Sequence, residues 1–250
     1  METSNIKNEI LDFFKDILII VIVVMFVKTF FVSPFQIKGQ SMYDSYYDGQ
    51  FIIVDRFSYL QFWNIKKWEP ERWDVIVFRP QVDEDDTWIW AEIKSNFRLK
   101  ATDNKEFFIK RIIGIPGDTL KIEEGKVYLK VEGQSEFAEL DEWYLSESNM
   151  NSTYVSGKNR AKQNIYEIPS GSYFVMWDNR TGSTDSRACF FSCVADGSSH
   201  FIKKENMSGK LLLDLGYFNL KDLSFTHPKL LIDTFPTFFS SPDSYDYNVQ

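Results

Sequence analysis

The stretch "FFIKRIIGIPGDTLKIEEGKVYLKV", residues 107–131, decides the fold of this 250-residue chain. Its first part, Phe107–Ile115, is rich in Phe and Ile and ends at a Pro-Gly pair, which predicts a β-strand followed by a turn. Its second part alternates apolar and polar residues on either side of Glu124-Gly125, which predicts a β-hairpin. The stretch therefore indicates an antiparallel β structure.

Further strands are predicted on both sides of this stretch. Runs rich in Ile, Val, Phe or Leu occur at Gln50–Phe57, Asp74–Pro80, Ser172–Asn179 and Lys210–Phe218. A short helix is expected within "EFAELDEWYLSE", residues 136–147, and the polar stretch 132–170 is interpreted as an insertion. The predicted fold class is mainly β, an antiparallel β-sheet domain with one N-terminal transmembrane helix.

The most apolar part of the chain lies at its N-terminal end. The uncharged run "ILIIVIVVMFV", Ile17–Val27, is short for a span of about 20 residues. Leu11–Val32 reaches that length with its lysines near the ends, where their stems can snorkel. A cleaved signal peptide is the alternative, but no small-x-small cleavage site follows the run. Residues 1–32 are therefore interpreted as a cytoplasmic tip and a retained membrane anchor.

Charge and cysteine content argue against several classes of function. The net charge of −8 disfavours a nucleic-acid-binding protein, because phosphate neutralisation needs clustered Lys and Arg. The two cysteines, Cys189 and Cys193, lie close together, and with the two histidines they do not supply the ligand spacing of a zinc site. We expect neither nucleic acid nor metal. A disulfide and a pair of buried thiols remain equally open for the two cysteines.

Ser41 is the candidate nucleophile. It lies in "IKGQSMYDSYYDG", residues 37–49, directly after the apolar segment. A serine hydroxyl needs a base, and a lysine inside an apolar strand can supply one, since burial lowers a lysine pKa by about 3–5 units. Lys110 occupies such a strand, although a lysine there can also snorkel outward in a purely structural role.

At this point the motifs resemble those of type I signal peptidases, the membrane-bound serine proteases that remove signal peptides from exported proteins. The similarity rests on "SPFQIKGQSM", "RWDVIVFRP", "FIKRIIGIPGDTLKIEEGKVYL", "YFVMWDNRTGSTDSR" and "FIKKENMSGK", in the family's order. It covers most of residues 33–218, which it identifies as the peptidase domain, with 219–250 as a C-terminal tail. The resemblance implies a mostly antiparallel β catalytic domain, a Ser–Lys dyad and no cofactor.

The same resemblance assigns roles to individual residues. Ser41 matches the nucleophile, Lys110 the general base, and Ser183 the hydroxyl that orients the lysine amine. Asp185 and Arg187 match a pair that braces the site, with Asp178 beside them. Small substrate side chains are expected in shallow pockets, which the match places at Ile37, Met42, Phe108 and Ile109.

The implied partners are signal-peptide-bearing preproteins and membrane lipid. The implied location is the bacterial cytoplasmic membrane, crossed once, with the catalytic domain outside the cytoplasm. A Ser–Lys protease of the self-cleaving repressor type shares the dyad, but the expected anchor argues against it. A catalytically inactive relative that binds peptides or assists secretion is the non-enzymatic alternative.

Departures from the family pattern surround the candidate site. The family follows its nucleophile with M-x-P-T-L, whereas this chain continues with Met42 and the sequence Tyr-Asp-Ser-Tyr at 43–46. Trp73 and Gln50 replace a common Gly and Asp, and Trp177 replaces the Gly of G-D-N-R. A large indole at 177 either fills the space that the lysine needs or packs along its stem and excludes water. We expect the second, with an active enzyme.

Overall fold

The computed structural model describes residues 2–57, 69–79, 107–155, 163–181, 184–191, 200–219, 223–226 and 237–238. The chain begins with helix α1, Glu2–Phe30. The hydroxyl of Ser33 donates to the carbonyl of Lys28 at 2.7 Å, which satisfies one of the carbonyls left open at the end of the helix. Among the described residues, no helix has the combination of length and apolarity needed to cross a membrane.

In the part of the chain that the structure describes, a large antiparallel sheet of nine strands follows the helix. Its main path runs in the order β1-β2-β11-β3-β4-β9-β10, and β12 and β13 pair with β11. The strands are β1 (Val32–Gln36), β2 (Phe51–Asp55), β3 (Val75–Phe78), β4 (Phe108–Gly114), β9 (Ser172–Met176), β10 (Ile202–Lys203), β11 (Met207–Asn219), β12 (Ser224–Thr226) and β13 (Thr237–Phe238).

A second antiparallel sheet, counted over the described residues, has four strands in the order β7-β6-β5-β8. These are β5 (Thr119–Glu123), β6 (Lys126–Lys130), β7 (Ala138–Glu139) and β8 (Ile165–Glu167). Glu124 and Gly125 form the turn between β5 and β6 with φ values of 52° and 81°. Two positive φ values match the twist of a two-residue hairpin, and the predicted hairpin is confirmed.

The core is built on both faces of β4 and β9. Ile113 and Phe174 pack with the second sheet, against Leu120, Leu129 and Tyr166. Ile112 and Val175, on the opposite face, pack with another group that includes Ile76, Phe78 and Met207. Because successive side chains alternate across a strand, both strands carry apolar residues on each face where they pass through the core.

Most of the predicted strands are confirmed by the structure. The segments beginning at Gln50, Asp74 and Phe107 contain β2, β3 and β4, and those beginning at Ser172 and Lys210 contain β9 and most of β11. The mainly β fold class is therefore confirmed, with an N-terminal helix.

The predicted short helix within 136–147 is wrong. Ala138 and Glu139 instead form edge strand β7 on β6, and Leu140 N–H donates to the Val127 carbonyl at 2.9 Å. Turns follow, and they place Tyr144 and Leu145 in the core beneath the second sheet. Pairing with an edge strand satisfies the backbone donors, which overrides the modest helix propensity of Glu, Ala and Leu.

Candidate active site

Ser41 lies in a loop between β1 and β2, residues 37–50, which we call the Ser41 turn. Three of its apolar side chains, Ile37, Met42 and Tyr46, are buried against β2, β3 and β11. The Ser45 and Tyr46 N–H groups donate to the Met42 carbonyl at 3.1 and 2.6 Å. This packing leaves Ser41 half-buried on the surface of the turn.

A groove of about 730 Å³ contains both Ser41 and Lys110 in its lining. Its apolar wall comes from the turn, from β2 and β3, and from the start of β4, and its polar end carries Gln40, Asn179, Thr181 and Thr184. Three of the expected substrate-pocket residues, Ile37, Phe108 and Ile109, line it. Met42 does not, because its side chain is fully buried beneath the turn.

Lys110 is buried in the wall of this groove, with 1% of its surface exposed. Its Nζ donates to the Ile109 carbonyl at 2.7 Å and lies 4.6 Å from the centre of the Trp177 ring and 5.2 Å from that of Phe108. Burial lowers the pKa of Lys110 from 10.5 to about 7, and the charges of Asp185 and Asp178 oppose that fall. A large fraction of the amine is therefore neutral near pH 7.

Trp177 lies where the resemblance placed it, next to Lys110. Its indole lines the groove, and its backbone N–H donates to Asp185 Oδ2 at 3.2 Å. The ring covers the lysine amine and leaves the amine in the wall of the groove. The contact fits an indole that shields the amine from water.

Asp178 forms a buried ion pair with Arg111, the residue after Lys110. Arg111 Nε and Nη2 donate to the two carboxylate oxygens at 2.9 and 2.7 Å, and Nη1 donates to the Trp73 carbonyl at 3.0 Å. Such a two-point contact fixes both distance and angle. It ties β4, which carries Lys110, to the residues that follow β9.

Asp185 and Arg187 form a second buried pair. Arg187 Nε and Nη2 donate to the Asp185 carboxylate at 3.0 and 2.7 Å, and the Arg187 backbone N–H donates to the same carboxylate at 2.9 Å. Asp185 also accepts a hydrogen bond from the Trp177 backbone N–H, so it joins residues 185–187 to the end of β9. Ser183, the third residue expected to act in catalysis, lies outside the described residues.

Asn179 contacts the Ser41 turn, a contact that its place in the sequence did not predict. Its backbone N–H donates to the Ser41 carbonyl and its side-chain Nδ2 donates to the Gln40 carbonyl, both at 3.1 Å. The signal was its place between Asp178 and Arg180 in the polar motif, but only the fold brings it to Ser41.

Cys189 is disulfide-bonded. The chain contains one other cysteine, Cys193, which lies outside the described residues. The buried-thiol alternative is therefore wrong for Cys189.

The chain belongs to the signal peptidase family, peptidase S26, whose model matches residues 10–214. This confirms the family to which the motifs pointed.

Several bacterial proteins of this kind are similar to the chain. Signal peptidase I of Bacillus licheniformis is 26% identical over 186 residues, which cover 74% of this chain and 82% of that protein. Signal peptidase I S of Bacillus subtilis strain 168 is 27% identical over 218 residues, or 81% of this chain and 94% of that protein. A solved signal peptidase I from Enterococcus faecalis V583 aligns with a TM-score of 0.34 at 26% identity, over 58% of this chain and 97% of that one.

Proposed function

We propose that the protein is a membrane-anchored serine endopeptidase that removes N-terminal signal peptides from exported preproteins. The observation that carries the proposal is the shared groove of Ser41 and Lys110, in which the lysine is buried and its pKa falls to about 7. Membership of the signal peptidase family, and relatives named signal peptidase I over most of the chain, support the substrate class.

Lys110 acts as the general base. Its neutral amine takes the Ser41 proton as Oγ attacks the scissile carbonyl, and the resulting ammonium gives that proton to the leaving amine. The Ser41 backbone N–H stabilises the oxyanion, a contribution of roughly 2.7–4 kcal/mol for a donor of this kind. Water then hydrolyses the acyl-enzyme with Lys110 again as the base. Ser183 orients the amine. The Asp185–Arg187 ion pair holds residues 185–187 in place next to it.

The apolar wall of the groove binds the signal peptide next to its cleavage site. Ile37, Phe108 and Ile109 offer shallow contacts and no charged partner, which suits small apolar side chains at P1 and P3. The Trp177 indole takes up space near the amine and further favours small P1 residues.

Although helix α1 as a whole lacks the apolarity of a membrane-spanning helix, its apolar segment Ile17–Val27 anchors the enzyme in the cytoplasmic membrane, with the catalytic domain outside the cytoplasm. Its large apolar side chains from Ile10 to Val27 lie on all sides of the helix. Most of them are exposed, with 39–65% of their surface accessible. Such a surface on all sides is unfavourable in water and favourable in lipid. The apolar run Ile17–Val27 predicts the anchor, and the resemblance to signal peptidases implies the orientation.

Cleavage of a preprotein by the detergent-solubilised full chain tests this function. A preprotein whose signal peptide ends in Ala-x-Ala should be cut after the second Ala, as read from the mass of the product, and Ser41→Ala should leave it intact. If the parent binds the preprotein without cutting it, the inactive-relative alternative is correct.

A further inference from the structure

Asp44 fastens the Ser41 turn to a distant part of the chain. Its Oδ2 accepts a hydrogen bond from the Ser146 hydroxyl and another from Asn149 Nδ2 at 2.6 Å. Both donors lie between β7 and β8, in the segment 140–151 that packs under the second sheet. A carboxylate that accepts two such bonds in a part-buried place holds its partners more firmly than a neutral acceptor does.

Asn149 connects Asp44 to the opposite side of the turn. The Asn149 side chain is buried, and its Oδ1 accepts from the Arg180 backbone N–H at 2.8 Å. The preceding residue, Asn179, donates its backbone N–H to the Ser41 carbonyl at 3.1 Å. The hydrogen bonds therefore form a closed path that starts at Ser41 and returns to the same turn at Asp44.

The backbone conformation of Asp44 does not by itself require an aspartate. Its φ is 79°, in the left-handed region where glycine is unstrained and where Asn and Asp are the best-tolerated alternatives. A glycine would therefore satisfy the backbone at least as well. What a glycine lacks is the carboxylate that Ser146 and Asn149 contact.

We infer that Asp44, Ser146 and Asn149 form a latch through which segment 140–151 positions Ser41 for reaction with Lys110. The inference rests on the proposed function, since it assigns a positioning role for the same reaction. Asp44 acts through the turn and has no part in the proton transfer. A loss of alignment in the turn lowers turnover, because displacements of about 1 Å cost on the order of 100-fold in rate.

Two substitutions of Asp44 distinguish a latch from a turn residue. Asp44→Gly keeps the backbone conformation and removes the latch, so kcat should fall about 10–100-fold while KM stays the same. Asp44→Asn keeps an acceptor oxygen and a tolerated φ, so it should retain most of the parent's kcat. The pH midpoint of kcat/KM should not move in either variant, since the surroundings of Lys110 are unchanged.

Ser146→Ala tests the latch from its other end, with Ser152→Ala as the matched control. Ser152 lies beside the same segment, and its hydroxyl donates to the nearby carbonyls of Ser148 and Met150 at 3.4 and 3.2 Å. Hydrogen exchange of the Ser45 and Tyr46 amides reports the order of the Ser41 turn without any substrate. Ser146→Ala should speed this exchange and lower kcat, whereas Ser152→Ala should change neither.

Parental kcat in Asp44→Gly, or unchanged exchange in Ser146→Ala, would overturn the latch. A parent that does not cleave preprotein refutes the proposed function instead. In that case the exchange measurement alone decides whether segment 140–151 orders the Ser41 turn.

Discussion

Replacement of Lys110 by methionine should make the protein more stable and completely inactive. The lysine side chain is 1% exposed, so its charged form is almost entirely removed from water. Methionine has a similar length, is apolar and adapts to irregular spaces, so it can fill the same volume between Phe108 and Trp177. The substitution removes the base and, with it, the cost of burying the charge.

The size of the effect follows from the pKa of Lys110. A fall from 10.5 to about 7, at about 1.4 kcal/mol per pH unit, means that the buried ammonium costs about 5 kcal/mol at pH values well below 7. Loss of the hydrogen bond to the Ile109 carbonyl offsets about 1–2 kcal/mol of this. The free energy of unfolding of Lys110→Met should therefore exceed that of the parent by about 3 kcal/mol at pH 6.

The gain should depend on pH in a defined direction. Between pH 7 and 10.5 the unfolded lysine is protonated and the folded one largely is not, so the unfolded state binds more protons and the parent becomes more stable as the pH rises. The advantage of Lys110→Met should shrink by about 1.4 kcal/mol per pH unit across this window, and its sign should reverse before pH 10.5 because only the lost hydrogen bond remains.

Urea unfolding of the detergent-solubilised full chain, followed by tryptophan fluorescence at pH 6, 7.5, 9 and 10, measures this difference. Lys203→Met is the control, because Lys203 is 68% exposed and its contact with Glu205 at 3.5 Å lies on the surface. Its effect should stay within about 0.5 kcal/mol at every pH. If Lys110→Met is destabilising at pH 6, or if its effect is the same at pH 6 and 10, the lysine does not have the lowered pKa on which the mechanism depends.

Four further outcomes are expected. The parent's kcat/KM should rise with pH to a plateau with a midpoint near 7, the pKa of Lys110, and a maximum near pH 5 would contradict a lysine base. Lys110→Arg should be inactive because guanidinium stays protonated. Trp177→Gly should keep the fold, lose activity at neutral pH and move the midpoint of kcat/KM to higher pH, because water then reaches the amine. If the parent is inactive and Trp177→Gly is active, the indole blocks the site. Asp178→Ala leaves Arg111 buried without its carboxylate and should cost about 3–5 kcal/mol in urea unfolding, and a loss below about 1 kcal/mol would argue against a buried pair. Protease added to intact spheroplasts should digest the catalytic domain, and full protection would refute the proposed orientation.

The sequence by itself determined the strands and the chemical groups of the candidate site. Alternation of side chains across a strand and the two-residue turn at Glu124-Gly125 are local properties, which is why β4, β9 and the β5–β6 hairpin could be predicted from a few residues each. The motifs around Ser41, Lys110 and Asp178 were readable for the same reason, since each lies within one short stretch of chain.

The tertiary structure alone decided which of these groups meet and how deeply they are buried. The sequence placed Lys110 in an apolar strand and left both burial and an outward position open, but only packing against Trp177 and Phe108 shows that the amine loses its water. Residues 136–147 favour a helix locally, but Ala138 and Glu139 pair with the edge of β6 instead, because a strand edge supplies partners that no local pattern contains. The contacts of Asp44 with Ser146 and Asn149 likewise join residues about a hundred positions apart. Hydrogen bonds and burial at that separation depend on how the whole chain folds back on itself, and so they cannot be read from any single stretch.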